Sequence, residues 1–176
     1  MIRILGIDPG SLVTGWGLVE QDGNRLSRVE SGVIRTGGIE FNQRLRIISH
    51  GVADLVERLE PQEFAIESAF VHRNAASAMK LGHARAAAIC GTFAVELPVH
   101  EYAPRDIKQA VVGTGSADKQ QVQHMMNVLL NLKSVLQADE ADALAVAVTH
   151  ALKRDINQRL GLVSGRSTRR RGVRRR

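Results

Sequence analysis

The sequence predicts an α/β domain built on a mixed sheet: an antiparallel meander first, then a strand returned parallel to the first by a helix. Three observations carry that reading. Residues 4–7 are a short apolar run that delivers Asp8 to a Pro9-Gly10 turn. Two strand-like runs, 14–20 and 26–35, follow with only a short turn at Asp22-Gly23-Asn24 between them, and strands joined so tightly pair antiparallel. A helix then precedes the buried run 64–66, which is the pattern of a parallel crossover.

The remaining elements follow in order. Gly37-Gly38 ends the meander, and Leu45, Ile48, Val52, Leu55, Val56 and Leu59 recur at helical spacing until Pro61 closes the helix. The strand 64–66 ends on Glu67, which the crossover brings toward Asp8. Residues 70–74 form a connector in which Phe70 stands beside His72 and Arg73. An aromatic next to a cation suits stacking on nucleobases; the other reading is a ring folded back over the core. Small residues suit 75–96 to a long helix packed closely on a neighbour, and 98–103 give a fifth strand. Pro104 is placed to start a helix over 105–112 that carries Lys108. After the Gly113-Thr114-Gly115 break, Ser116 reads as the N-cap of a helix through Leu130, with Lys119 in its first turn. Amides and ammonium together could hold a phosphate there.

Length and composition bound the class. A chain of 176 residues is one ordinary domain with room for a core, and its single cysteine excludes a disulfide framework or a cysteine zinc site. Cys90, in a run of small residues, reads as a packed thiol in a reducing cytoplasm. No apolar run approaches the roughly 18 residues of a membrane span, and the start lacks a signal-peptide pattern, so a soluble intracellular protein is expected. The net charge of +6 is unevenly held: residues 1–150 carry 14 Lys/Arg against 17 Asp/Glu, whereas 151–176 carry 10 against Asp155 alone. The stretch 164–176, SGRSTRRRGVRRR, lacks the apolar content to order itself. Such an arm suits salt-dependent, sequence-blind contact with a polyanion, or serves only as a solubilising end. The expected division is a folded domain over 1–158 and a basic, disordered tail over 159–176.

Four acids are candidates for chemistry. A lone carboxylate at the end of a buried strand costs several kcal/mol unless a cation or proton neutralises it; Asp8 is such a group, unless it merely caps its turn. Glu67 ends the parallel neighbour, unless it faces water. Asp139 begins the last helix and Asp142 lies one turn on, so both leave one face, whereas Glu140 is rotated about 100° away. Dipole complementation is the competing account of acids at a helix start. Oxygen-only ligation suits Mg²⁺ or Mn²⁺ and disfavours Zn²⁺. Two such ions about 4 Å apart would activate water on one side of a phosphodiester and stabilise the leaving oxygen on the other. Neither a cysteine nucleophile nor a serine triad can be assembled.

With these residues in place, the chain resembles the RuvC-type Holliday-junction resolvases over 4–150. The motifs that carry the resemblance are ILGIDPGS, TGWG, FAIES, NAASAMKLGHARA, IKQAVVGTGSADKQQVQHM and QADEADALAVAVTH. The resemblance implies a ribonuclease-H-like fold, a five-stranded mixed sheet with helices on both faces, acting as a homodimer. It implies Asp8, Glu67, Asp139 and Asp142 as catalytic, metal-holding acids, Phe70 as a junction-contacting aromatic, and Lys108 and Lys119 as lysines near the active site; Arg73 joins these as a DNA-binding candidate. The implied activity is a Mg²⁺-dependent endonuclease of recombination and repair that nicks two opposed strands of a four-way DNA junction. Its products carry 5′-phosphate and 3′-hydroxyl ends, and it works beside the RuvA-RuvB branch-migration complex. Ser68, His83 and Ala86 depart from the family's usual residues, which bears on hydrogen bonding around the site and on helix or DNA contacts rather than on the acids. An actin-like ATPase, a catalytically silent junction binder and a relative that processes ribosomal RNA precursors are the competing classes. Nucleotide turnover, metal-dependent cutting and a DNA-against-RNA comparison separate them.

Overall fold

The structure, a computed structural model, describes residues 1–68, 74–132 and 136–159. Five strands form one sheet in the order β3-β2-β1-β4-β5: β1 (Ile2–Asp8), β2 (Val13–Asp22), β3 (Arg25–Arg35), β4 (Glu63–Glu67) and β5 (Val99–Tyr102). β1, β2 and β3 are the expected antiparallel meander, while β1, β4 and β5 run parallel. The fold is the mixed-sheet, ribonuclease-H-like architecture expected.

Alternation along the strands builds a core on each face. Leu5, Ile7, Trp16, Leu18, Phe64 and Ile66 pack toward helices α1 (Phe41–Leu59) and α2 (Ala75–Cys90). Ile4, Val19 and Ala65 face the other way, toward α3 (Pro104–Val112), α4 (Lys119–Leu129) and α5 (Ala138–Arg159). The last of these crosses the sheet closely where Gly6, Gly15 and Gly17 present no side chain. Gly6 pairs with Gly17 and Asp8 with Gly15, so three glycines and the acid share one face. A Cβ at Gly6 would come within 2.7 Å of the Ala147 amide, one at Gly17 within 2.7 Å of Leu144, and one at Gly15 would overlap the Asp139 carbonyl. Fully buried Ala143 and Ala147 complete the contact from the helix side. Close approach of helix and sheet, made possible by small residues, therefore sets where the acids of α5 stand.

Helix ends differ from expectation in two places. The long helix stops at Cys90 rather than Glu96: the Thr92 hydroxyl donates to the Ile89 carbonyl at 2.8 Å, and Glu96 lies at φ 49°. α4 is capped by Asp118, not Ser116. The Asp118 carboxylate accepts from the Gln121 amide, and the Gln121 side chain accepts from the Asp118 amide, a reciprocal pair that fixes the start two residues later. Cys90 is exposed, contrary to the packed thiol expected, because Ala84 and Ala88 carry the buried face of α2. No helix among the described residues is long and apolar enough to cross a membrane. Phe70, Arg73 and the tail beyond Arg159 lie outside the described residues.

Candidate active site

Strand register brings the first two acids together. Ile7 pairs with Ile66 in the parallel β1–β4 ladder, so Asp8 and Glu67 are next in line at neighbouring strand ends, on the face that α5 covers. Asp139 and Asp142 belong to the first turns of α5, whose path over Gly15 lays them above the same strand ends. A cleft of about 530 Å³ opens there, lined by Asp8, Glu67, Asp142, Lys108, Lys119 and Arg105. Asp139 is not among the lining residues and acts on Asp8 through its charge.

The electrostatics are those of crowded, sheltered carboxylates. Burial, and then the charges of Glu67, Asp142 and Asp139, push Asp8 up to about 8. Burial and Asp142 likewise raise Glu67 to about 7, while Lys119 and Lys108 pull it down. Lys119, the first residue of α4, places Nζ 3.3 Å from Asp142 Oδ2, and that acid raises the lysine's pKa in return. Its side chain is 74 % exposed against 21 % for Asp142, so the pair adds little stability and matters as local charge. Glu140, as expected from its rotation, turns elsewhere. It accepts from Ser31 Oγ at 2.9 Å and from the Gln137 amide at 3.2 Å.

These residues fit a hard divalent cation. All four donors are carboxylates, burial and mutual repulsion push two of them up to about 8 and about 7, and a dication would favour their charged forms again. They do not form a tight single-ion cage: among the described residues, the one group whose three donor atoms all lie within 4.8 Å of one another is Glu63, His100 and His150, at the far end of β4. Sequence reasoning missed Arg105 in the cleft wall and the glycines that admit α5; the alternation of Gly15 and Gly17 opposite Asp8 and Gly6 was the available signal. Ser68 pins the end of β4, its amide and hydroxyl both donating to the Tyr102 carbonyl, at 2.9 and 3.2 Å. His83 meets Phe41 with ring centroids 5.9 Å apart, a contact between α2 and the start of α1.

The family model for crossover junction endodeoxyribonuclease RuvC matches residues 4–150, from the first strand through the helix that carries the last two acids. The chain belongs to the RuvC family. It is 54 % identical over 164 residues to the RuvC of Xanthomonas campestris, covering 92 % of this chain and 94 % of that one. The RuvC of Stenotrophomonas maltophilia is 55 % identical, covering 92 % and 95 %. Among solved structures, Thermus thermophilus RuvC in complex with a Holliday junction substrate superposes with a TM-score of 0.83 at 31 % identity, covering 89 % of this chain and 97 % of that one. RuvC proteins are metal-dependent endodeoxyribonucleases, and the acid cleft lies inside the matched segment.

Proposed function

We propose that the chain resolves four-way DNA junctions by paired symmetrical nicks, with Asp8, Glu67, Asp139 and Asp142 holding Mg²⁺, or Mn²⁺ in its place, at two ions per site. The observation that carries this reading is the convergence of strand-end and helix acids in a lysine-flanked cleft, with Asp8 pushed up to about 8 by its burial and its neighbours. Mg²⁺ held there supplies Lewis-acid activation of the attacking water and neutralises charge at the scissile phosphate. The protein's own groups do the rest. Asp8 and Glu67 offer oxygens from rigid strand ends, and Asp139 and Asp142 offer theirs from a helix docked on glycine. Lys119 and Lys108 bring positive charge to a polyanion that would otherwise be repelled by four carboxylates. In-line attack by water then leaves 5′-phosphate and 3′-hydroxyl ends.

Phe70 and Arg73 are proposed junction contacts, and residues 159–176 a phosphate-binding arm appended to a nuclease domain over 1–158. Two active sites related by a two-fold axis suit two opposed strands of a junction, so a homodimer is the proposed working form. Cooperation with the RuvA-RuvB complex and a cytoplasmic location belong to the same reading.

A synthetic mobile junction incubated with Mg²⁺ or with EDTA, its products mapped strand by strand, tests the proposal. Symmetrical nicks with ligatable ends in Mg²⁺, and none in EDTA, are expected. Asp8→Asn should bind the junction and fail to cut it; loss of binding and cutting together would remove Asp8 from the catalytic role. Preference for structured RNA over junction DNA would overturn the substrate.

A further inference from the structure

A second group of ligating side chains gathers at the end of β4 opposite Glu67. Glu63 opens β4, His100 lies in β5, and His150 stands about two helical turns beyond Asp142 on α5. One donor atom from each lies within 4.8 Å of the other two. His150 is 4 % exposed. Its Nε2 is hydrogen-bonded to Glu63 Oε2, and its Nδ1 lies 2.6 Å from the Tyr102 hydroxyl. The His100 ring stacks on it with centroids 4.1 Å apart. The second Glu63 oxygen accepts from Arg154 Nε at 3.1 Å.

We propose that Glu63, His100 and His150 form a transition-metal site of the Zn²⁺ class, separate from the oxygen-only cleft. Two imidazole nitrogens and one carboxylate oxygen are the donor set that borderline ions prefer, with a fourth position left for water. Zn²⁺ bonded at about 2.0–2.1 Å in tetrahedral geometry needs donors about 3.3 Å apart, which a spread of no more than 4.8 Å reaches once the stacked His100 ring swings outward and the His150–Glu63 contact opens. Burial and the neighbouring His150 hold His100 below the usual imidazole range, which favours the neutral ring that ligates. Tyr102 and Arg154 are the outer partners that orient a ligating imidazole and carboxylate.

Proton balance is simple. With the ion on Nε2, the one proton of the neutral His150 ring sits on Nδ1 and is donated to the Tyr102 oxygen, 2.6 Å away. Protons compete with the ion for the imidazole and carboxylate donors, so affinity falls as pH falls. Mg²⁺ is discriminated against on two grounds. It takes imidazole poorly, and Arg154 on Glu63 with Lys153 4.8 Å from the Tyr102 ring centroid supplies positive charge that only strong nitrogen bonds overcome. The two ends of β4 thereby serve different metals, and the second ion would tie β4, β5 and α5 together.

Full-length protein titrated with Zn²⁺ against a chromogenic chelator, in excess Mg²⁺, tests this, with Co²⁺ as a spectroscopic probe of nitrogen ligation. One tightly bound Zn²⁺ per chain is expected, retained in the Asp8→Asn/Asp142→Asn double variant. His100→Phe and Glu63→Gln should each weaken it by about 100-fold and remove the Co²⁺ visible bands. An unchanged metal-free melting temperature in His100→Phe would show the fold intact. No Zn²⁺ bound to the wild type, binding that survives His100→Phe, or binding lost with the cleft acids would each overturn the site.

Discussion

Lys119 Nζ stands 3.3 Å from Asp142 Oδ2, an ammonium from the start of α4 facing an acid from the start of α5 across the mouth of the cleft. Its charge also lowers the pKa of Asp8 and of Glu67. Lys119→Met therefore removes both a phosphate-facing charge and the local field that favours ionised acids. Single-turnover cleavage should fall by about 100-fold at neutral pH and recover in part as pH rises. A uniform loss at all pH values would restrict the lysine to binding substrate.

The protonation of Asp8 and Glu67 sets a pH dependence. Without metal these groups ionise at about 8 and about 7, and each must lose its proton to ligate. Cleavage at limiting Mg²⁺ should climb through this window, and raising Mg²⁺ should move the climb to lower pH as ion and proton compete. Rates measured across pH at two Mg²⁺ concentrations check it. A profile indifferent to Mg²⁺ would count against acid-held metal.

Stability should move against activity. Asp8 ionises near 8 in the folded chain and at its ordinary 3.8 when unfolded, so between those values the folded state binds the extra proton and stability declines as pH rises. Asp8→Asn escapes that penalty. In EDTA at pH 7–8 it should melt above the wild type, by about 4–8 °C for about 2 kcal/mol in a chain of this size. The advantage should vanish near pH 4, and an equal or lower melting temperature at pH 8 would refute the electrostatic account.

Gly15 tests whether helix docking sets the site. A Cβ there overlaps the Asp139 carbonyl, whereas one on Gly38 meets nothing within 4 Å. Gly15→Ala should lift the start of α5, lower cleavage by about 100-fold and raise the Mg²⁺ needed for half-maximal rate. Gly38→Ala should leave rate and Mg²⁺ dependence close to wild type. Equal behaviour of the two variants would show that α5 is positioned by other contacts.

The arginine tail should act through salt. Truncation after Leu162 is expected to weaken junction binding most at low ionic strength and to flatten the dependence of log K on log salt by about 0.9 for each phosphate that the arm had neutralised. An unchanged slope would release the tail from any role on DNA.

How much was readable in the chain varies with the kind of interaction. Asp8 announced itself because a carboxylate at the end of an apolar run is a local conflict, visible without coordinates. Asp139 and Asp142 were legible as a pair because one helical turn separates them, and Glu140 as an outsider for the same reason. The parallel placement of β4 followed from the helix between two apolar runs. The N-cap of α4 was not legible because Ser116 and Asp118 are both good caps, and the choice fell to Gln121, which completes a reciprocal bond with only one of them. The end of α2 was hidden because a single glycine such as Gly91 does not by itself end a helix, whereas the Thr92 hydroxyl and the close approach of α1 do.

By itself the sequence determined the strand and helix pattern, the four acids and the family that their motifs mark, since these depend on period, spacing and side-chain type along the chain. Only the tertiary structure decided that α5 lies against bare glycines, that Lys119 faces Asp142, and that Glu63, His100 and His150 meet at the far end of β4. Those are contacts between residues far apart in the chain, and how closely they approach depends on packing volume and register, which no local pattern encodes.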